Sequence, residues 1–294
     1  MMRVVVLGSG AALPSKQRGL PSVGIRYNGR VYLMDCGEGT QRQMMKYGIS
    51  YAKVDSIFVT HSHADHILGI AGLAQTLDMI SRKEPLRIYC PRGARHEIEA
   101  LLSIGDYCYE ISVSEVGEGH VVDGKDFAVS AFAMRHSRPT LGFVFCEAGR
   151  RNFDKGKCDR LGIKGRMFGE LEKNGEIRVG KKRITYECVS SGKKGGKVVY
   201  TGDGLPSDET ISAAKGADLL FHEATYTSEK ADDARDHMHS TAAQAAEVAK
   251  KAGVGKLILT HISGRYRKPD AHLAEARKIF KKTFVAEDGM ELIV

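Results

Sequence analysis

The most constraining feature of this sequence is His61-Ser-His63-Ala-Asp65-His66, which places four metal-binding side chains within six residues. The motif follows an apolar, β-branched run, Val54 to Thr60, and precedes apolar residues at helical spacing. Histidines two positions apart can direct both imidazoles at one ion, while the aspartate and the last histidine turn toward a second. A solvated surface loop offers no physical reason for this spacing. The motif therefore predicts a strand-end loop that serves two metal ions.

Short β-branched runs recur along the chain and alternate with segments of helical periodicity. The clearest predicted helix is the alanine-rich segment from Ala242 to Ala252, which Thr241 and Gln244 precede in a capping-box pattern. Strands that alternate with helices indicate a layered α/β protein. The predicted strands are Val4 to Leu7, Val31 to Met34, Val54 to Thr60, Ala128 to Met134, Val198 to Thr201, Leu219 to Phe221 and Leu257 to Thr260.

The excess positive charge of the chain is confined to one segment. Lysine and arginine number 44 against 36 acidic residues overall, and the segment from Glu147 to Lys197 contains fifteen against seven. Subtraction leaves 29 of each sign elsewhere, so these 51 residues carry the whole net charge of +8. The segment also contains ten glycines and no proline. Such a stretch predicts an insertion that projects from the core, either as a binding element or as a solvated, lysine-rich loop.

Three further potential ligands stand just beyond other predicted strands: His136, Asp203 and His261 each follow a strand within two residues. Reactive side chains gather beyond the strand ends of open α/β sheets, so these three could converge with the first motif. A lone histidine after a strand is more often structural, but the ordered set is more specific than its parts. The six cysteines contain no Cys-x-x-Cys pair, which disfavours a thiolate zinc finger.

This ordered set resembles the metallo-β-lactamase superfamily, and the resemblance runs from the N-terminal strand and Asp35-Cys-Gly-Glu38 through His261. It implies an α/β fold, the αββα sandwich, as one domain over residues 1–294, with residues 147–197 as an inserted basic flexible arm. Donors of nitrogen and oxygen without sulfur suit two Zn²⁺ ions per subunit, and Mn²⁺ or Fe²⁺ stay open. The implied ligands are His61, His63 and His136 for one ion, Asp65, His66 and His261 for the other, and Asp203 as the bridge.

Four further motifs narrow the branch of the superfamily. They are similar to those of the ribonuclease Z family, which implies removal of the 3′ trailer from precursor tRNA. By that resemblance Glu223 orients His239, the general acid, and Asp65 accepts a proton beside a metal-activated water. Arg265 either contacts a substrate phosphate or forms a structural ion pair. The motifs are Gly37-Glu-Gly-Thr-Gln-Arg42, His222-Glu-Ala-Thr225, His239-Ser-Thr241 and Leu259-Thr-His-Ile-Ser-Gly-Arg-Tyr266.

The same resemblance implies partners for this chain, and its apolar runs bear on its location. The basic segment corresponds to an arm that binds tRNA away from the cut. Its positive charge favours RNA, because lysines and arginines that neutralise phosphates release counterions. Two departures are present: the arm lacks proline, and Gly204 stands where the family often has threonine, for which we expect a small change only. A homodimer is implied. No signal-peptide core and no run of roughly 20 apolar residues is present, so we expect a cytoplasmic protein without a membrane partner.

Three alternative functions differ in what they explain. A small-molecule hydrolase of the same fold, such as a glyoxalase II-type thioesterase or a lactonase, accounts for the ligands but not for the basic segment or His239-Ser-Thr241. A nuclease with a large β-CASP domain is disfavoured, because only 57 residues separate Asp203 from His261. A catalytically silent RNA-binding module is expected to have lost a ligand, and the sequence retains the full set.

Overall fold

The computed structural model describes residues 2–294, which divide into two compact units. The larger unit runs to Cys146 and resumes at Lys197–Val294, and the smaller unit is Glu147–Gly196. Every residue that the sequence predicts to be a ligand or a catalytic group lies in the larger unit. Within residues 2–294, no helix has both the length and the apolar character needed to cross a membrane.

The secondary structure consists of twenty strands and eleven α-helices over residues 2–294. In chain order the strands are β1 (Arg3–Gly8), β2 (Gly10–Ala11), β3 (Ser22–Tyr27), β4 (Arg30–Met34), β5 (Val54–Phe58), β6 (Leu86–Pro91), β7 (Ile111–Val116), β8 (Gly119–Gly124), β9 (Phe127–Met134), β10 (Thr140–Glu147), β11 (Arg150–Phe153), β12 (Glu176–Val179), β13 (Lys182–Thr185), β14 (Ser190–Lys193), β15 (Lys197–Tyr200), β16 (Leu219–Glu223), β17 (Lys256–Thr260), β18 (Ile262–Ser263), β19 (Thr283–Val285) and β20 (Glu291–Ile293). The helices are α1 (Thr40–Lys46), α2 (Ala64–Ile67), α3 (Gly69–Met79), α4 (Arg95–Leu102), α5 (Lys155–Arg160), α6 (Arg166–Asn174), α7 (Tyr186–Val189), α8 (Asp208–Ala214), α9 (Ala231–Asp236), α10 (Ala242–Ala252) and α11 (Asp270–Ile279).

Two seven-stranded sheets form the centre of the larger unit, in the orders β20-β1-β3-β4-β5-β6-β7 and β19-β17-β16-β15-β10-β9-β8. Their facing sides enclose an apolar core rich in aromatic rings, among them Tyr27, Phe58, Phe143 and Phe145. Helices α1, α3 and α4 cover the outer face of the first sheet. Helices α8, α10 and α11 cover the outer face of the second. The unit is therefore the αββα sandwich, as expected.

The predicted strands are present, and their ends differ where the site begins. β5 ends at Phe58, two residues earlier than expected, and beyond it the backbone N–H of Thr60 donates to the Asp35 carboxylate (2.7 Å). β16 continues through Glu223, because its pairing with β17 extends to Thr260. The prediction that His222-Glu-Ala-Thr225 follows a strand is therefore wrong for its first two residues. The predicted helix over Ala242–Ala252 is α10, with its capping box formed.

Strand direction brings the ends of the two sheets together. β15, β16 and β17 run parallel, so the residues at their C-terminal ends share one edge of the second sheet. β4 and β5 are likewise parallel in the first sheet. The two edges meet at Gly202, where a β-carbon would lie 2.6 Å from the Thr60 side chain and where φ is +63°. Only glycine fits this approach, because it has no β-carbon and tolerates positive φ.

The smaller unit has an apolar core of its own, although its sequence suggests a loop with few apolar residues. β11 pairs with β14 and β12 with β13, both antiparallel. The Phe153 and Phe168 rings pack edge to face at 4.8 Å. Most of the glycines and charges lie outside this core, which explains why composition alone suggested a loop. The buried residues are Cys158, Ile163, Leu171, Ile177, Ile184 and Val189.

Candidate metal centre

Three histidines form the first group of ligand atoms. His61 and His63 come from the loop after β5, and His136 lies two residues beyond β9. His61 Nε2 is 2.9 Å from His63 Nδ1, which is 3.3 Å from His136 Nε2. Three nitrogen atoms so close to one another can hold one divalent cation in a tetrahedral or similar shell with an open position.

A second group lies beside the first, and Asp203 contacts both. The Asp203 Oδ2 atom is 3.8 Å from His61 Nε2, 3.4 Å from His66 Nε2 and 3.2 Å from His261 Nε2. The second group consists of Asp65, His66 and His261, whose ligand atoms all lie within 4.8 Å of one another. Asp203 thus lies between the two groups of ligand atoms. The structure brings all seven predicted ligands together.

The distal nitrogens of four of these histidines are held by hydrogen bonds, which fixes the ring orientation. The acceptors are a threonine hydroxyl, a carboxylate, a backbone carbonyl and a second threonine hydroxyl. In each case Nδ1 is the hydrogen-bonded atom, so Nε2 faces the cluster and is the atom that can bind a cation. The four pairs are His61 with Thr60 Oγ1 (3.1 Å), His66 with Asp35 Oδ2 (2.7 Å), His136 with the Met238 carbonyl (3.0 Å) and His261 with Thr225 Oγ1 (2.8 Å).

The cluster fits divalent cations on its own geometry. His66 Nε2 and Asp203 Oδ1 are buried and have no hydrogen-bond partner within residues 2–294. Buried polar atoms without a partner are costly, and a cation held between this nitrogen and this carboxylate would satisfy both of them. Burial, and then the neighbouring His66, lower the pKa of His61 well below its ordinary value, which keeps this ring in the neutral form that binds metal.

Glu223 joins the candidate acid to the rest of the site. Its Oε1 accepts from His239 Nδ1 (2.8 Å) and from the Gly204 backbone N–H (2.9 Å). Its Oε2 accepts from the Thr225 hydroxyl (2.7 Å) and backbone N–H (3.1 Å). Glu223 is fully buried, whereas His239 is partly exposed. His239 is therefore fixed through Nδ1 and offers Nε2 to a reacting group.

The electrostatics of this pair favour a protonated imidazole. Burial by itself lowers the pKa of His239, but the charge and hydrogen bond of Glu223 outweigh it and raise the pKa to about 9. Burial would raise the pKa of Glu223, and the His239 charge and hydrogen bond overcome this and lower it. A histidine that is protonated at neutral pH can serve as a general acid.

Three residues of the centre have a left-handed backbone conformation. Asp35, Met238 and His261 have φ values of +58°, +56° and +56°. Residues other than glycine adopt this left-handed conformation at a cost of about 1–3 kcal/mol, and such residues cluster at functional sites. Each of the three either belongs to the predicted ligand set or holds a ligand histidine through Nδ1. The surrounding fold therefore stabilises an arrangement that these residues do not favour locally.

The structure adds residues to which the sequence analysis assigned no role. Asp35, Thr60, Thr225 and the Met238 carbonyl all bind ligand histidines from behind. Asp35 also follows a predicted strand directly, the same signal that marks the ligands, whereas a backbone carbonyl leaves no signal in sequence. Two further histidines, His222 and His272, are fully buried and lie outside the ligand groups.

Arg265 lies on the side of the centre where His239 stands. Its guanidinium carbon is 4.8 Å from the centroid of the Tyr226 ring, and that ring is 6.1 Å from the His239 ring. Its Nη1 is also 3.5 Å from Asp233 Oδ2, so an ion pair is present, and its side chain is 47% exposed. The geometry is compatible with both predicted roles of Arg265, namely a contact with a substrate phosphate and a structural ion pair.

The sandwich and its seven converging side chains define a protein of the metallo-β-lactamase fold with a candidate dinuclear metal centre. Family models match residues 2–147, described as anti-Pycsar protein Apyc1, and residues 171–262, described as a β-lactamase superfamily domain. The chain is 44% identical to a ribonuclease Z of Methanothermobacter thermautotrophicus over 100% of this chain and 97% of the relative. It is 41% identical to a ribonuclease Z of Methanosarcina mazei, over 100% and 98%.

Among solved structures, the short form of human tRNase Z superposes with a TM-score of 0.73 at 29% identity, covering 99% of this chain and 98% of the human one. The chain belongs to the ribonuclease Z family. The resemblance drawn from the motifs is thereby confirmed.

Proposed function

We propose that this protein is a divalent-metal-dependent endoribonuclease that removes the 3′ trailer from precursor tRNA. The products are a tRNA with a 3′-hydroxyl and a trailer with a 5′-phosphate. The observation that carries the proposal is the Glu223–His239 pair beside an Asp203 oxygen that lies within 3.8 Å of three histidine nitrogens. The family members named ribonuclease Z and tRNase Z support the choice of substrate.

We propose two Zn²⁺ ions as the resident metals. His61, His63 and His136 would hold one, Asp65, His66 and His261 the other, and Asp203 would contact both. The donor set, nitrogen and oxygen without sulfur, supports zinc, and manganese or iron accepts similar donors. Two such ions, when bound, would supply an activated water and neutralise charge on a phosphate.

Side chains of the protein would accept and donate the protons of the reaction. Asp65 accepts a hydrogen bond from the Ala12 backbone N–H (2.9 Å), which fixes its carboxylate at the centre, where it would take the proton of the attacking water. His239, protonated because of Glu223, would give its Nε2 proton to the departing 3′ oxygen of the tRNA. Arg265, half exposed beside Tyr226, would contact a phosphate near that leaving group.

The smaller unit would contact tRNA away from the cut. Residues 147–196 contain fourteen lysines and arginines against seven acidic residues. Such a charge favours folded RNA through phosphate neutralisation and counterion release. We also propose a homodimer, which the resemblance supports, and a cytoplasmic location, which the apolar runs of the sequence support.

The proposal is tested by incubating the protein with a 3′-extended precursor tRNA, with and without a chelator. We expect one cut near the mature 3′ end, a 5′-phosphate on the released trailer, and loss of cleavage with chelator that added Zn²⁺ restores. The control is His239→Ala, which should retain its metal content and cleave slowly. Turnover of a thioester or lactone without cleavage of precursor tRNA would favour the small-molecule hydrolase, and binding of tRNA without any cleavage would favour the silent module.

A further inference from the structure

Arg138 lies beside the metal centre without belonging to it. Its Nη1 donates to Ser62 Oγ (3.1 Å) and to Glu97 Oε1 (3.3 Å). Ser62 separates His61 from His63 in the chain, so the guanidinium is anchored to the loop that carries the first ligand group. The Arg138 side chain is nonetheless 46% exposed. One edge of the guanidinium is therefore held by the protein, while the rest is open to solvent.

Arg265 is held in a similar way on another side of the centre. Its Nε donates to Ser263 Oγ (3.2 Å), and its Nη1 lies 3.5 Å from Asp233 Oδ2. Each arginine is thus ordered by one serine and one carboxylate and is about half exposed. Side chains ordered in advance lose less conformational entropy when they bind a ligand. Both are therefore suited to bind an anion beside the metals.

Ring positions show which side of the centre each arginine occupies. The His136 ring is 5.1 Å from the His63 ring and 5.0 Å from the His239 ring, and no close contact joins His63 to His239 within residues 2–294. Arg138 is anchored next to His63, whereas Arg265 reaches His239 through Tyr226. The two guanidiniums thus lie toward different ends of the ligand cluster.

Because the proposed reaction is directional, the two ends should receive different parts of the RNA. If His239 protonates the 3′ oxygen of the tRNA, the mature tRNA lies at the His239 end. The scissile phosphate remains with the trailer after cleavage, so the trailer leaves toward the other end. A single-stranded trailer presents one phosphodiester per nucleotide, and a guanidinium binds these through strong, charge-assisted hydrogen bonds.

We infer that Arg138 binds a phosphodiester of the trailer, just downstream of the scissile phosphate. The inference rests on the proposed function, because it uses the direction in which His239 places the substrate. It assigns the RNA trailer a subsite made of the exposed edge of Arg138, with Ser62 and Glu97 as the groups that position the guanidinium.

The experiment compares Arg138→Gln with the unaltered protein on two precursors of the same tRNA. One carries a single trailing nucleotide, whose only phosphate is the scissile one, and the other carries a long trailer. We expect KM for the long trailer to rise by about 3- to 10-fold and its salt dependence to fall by roughly 0.7 in log–log slope, the value for one single-strand phosphate contact. KM for the single-nucleotide trailer and kcat for both should change little.

Two matched variants separate phosphate binding from a structural ion pair. Glu97→Gln removes the charge of the carboxylate partner but keeps the guanidinium and an oxygen that can accept its hydrogen bond, so KM for the long trailer should rise less than in Arg138→Gln. Arg87→Gln removes an arginine on β6 of similar exposure, 44%, whose Nη1 lies 3.4 Å from Asp55 Oδ1. Its KM for both precursors should match that of the unaltered protein.

Equal KM changes on both precursors, or an equal rise of KM in Arg138→Gln and Glu97→Gln, would overturn the inference. Arg138 would then have only a structural role in its ion pair. No change in Arg138→Gln, while the unaltered protein cleaves both precursors, would overturn it too and leave the proposed function intact. If the unaltered protein cleaves neither precursor, both proposals fall together.

Discussion

Thr225 links a candidate ligand to the candidate acid through one hydroxyl group. The hydroxyl accepts from His261 Nδ1 (2.8 Å) and donates to Glu223 Oε2 (2.7 Å), and Glu223 in turn holds His239. Thr225 is buried, so no water replaces this hydroxyl easily. Groups that hold the distal nitrogen of a ligand histidine commonly affect metal affinity by about 10- to 100-fold.

Thr225→Val retains the shape of the side chain and removes the hydroxyl. We expect the affinity for Zn²⁺ to fall by about tenfold, because the His261 ring loses the hydrogen bond that orients it. Chelator competition measures this affinity directly. Thr225→Ser should restore most of it. Thr227→Val is the control, since Thr227 is equally buried but contacts the Tyr266 hydroxyl instead of a ligand. An unchanged affinity in Thr225→Val would contradict the role.

Glu223→Gln should change how cleavage depends on pH. Glu223 raises the pKa of His239 to about 9, so an acid at this position stays protonated through neutral pH. A general acid loses activity as pH rises through its pKa, and Gln carries no charge to hold that pKa up. The alkaline limb of the pH–rate profile should therefore move down toward the ordinary histidine value of about 6.5. A limb that stays in place would exclude His239 as the group responsible.

At the scale of elements, the turn after β15 connects the two halves of the site. Asp203 is followed by Gly204, whose backbone N–H donates to Glu223 and whose carbonyl accepts from the Ser240 hydroxyl (2.6 Å). Gly204 has φ of +146°, and a β-carbon there would lie 3.0 Å from the Arg135 carbonyl oxygen. The family often has threonine at this position, which we expected to matter little. The backbone of this chain instead adopts a conformation that favours glycine.

Gly204→Ala should lower the free energy of unfolding by about 1–3 kcal/mol, because the added methyl group meets a carbonyl and the positive φ is strained. Cleavage should fall as well, because the amide that binds Glu223 would shift. Chemical denaturation and turnover report the two effects. Gly117→Ala is the matched control, since a β-carbon at Gly117 meets nothing within 4 Å, and its stability should stay within about 0.5 kcal/mol.

At the scale of the whole molecule, charge and chemistry are segregated. Residues 147–196 carry a net charge of +7, whereas the candidate ligands all lie in the other unit. The strands on either side of this segment make its removal simple. Cys146 on β10 and Lys197 on β15 are direct partners in an antiparallel pair, so a short turn can join them.

Replacing residues 147–196 with an Asn-Gly turn should weaken binding of precursor tRNA, because most of the excess positive charge is lost. Hydrolysis of a small phosphodiester should be retained, since every candidate ligand is kept. Filter binding at two salt concentrations and a chromogenic phosphodiester assay measure the two quantities. Intact tRNA affinity in this variant would show that the segment does not contribute to tRNA binding.

Much of this centre was predictable because metal binding selects side-chain types that are rare in close sequence proximity. The spacing of His61, His63, Asp65 and His66 and the strand-end positions of the other ligands were sufficient to predict the set that the structure brings together. Local rules likewise predicted α10, whose capping box involves residues three apart. They misjudged the end of β16, because pairing with β17 extends that strand.

Residue chemistry and short-range spacing were enough to predict the kinds of ligand, their order and the alternation of strands and helices. The groups that hold these side chains are apparent only in the folded chain: Asp35 lies behind His66, the Met238 carbonyl lies behind His136, and Ser62 anchors Arg138 beside the ligands. These contacts join residues from 31 to 102 positions apart. They depend on which strands pair and in which direction, and no local pattern in the chain specifies that.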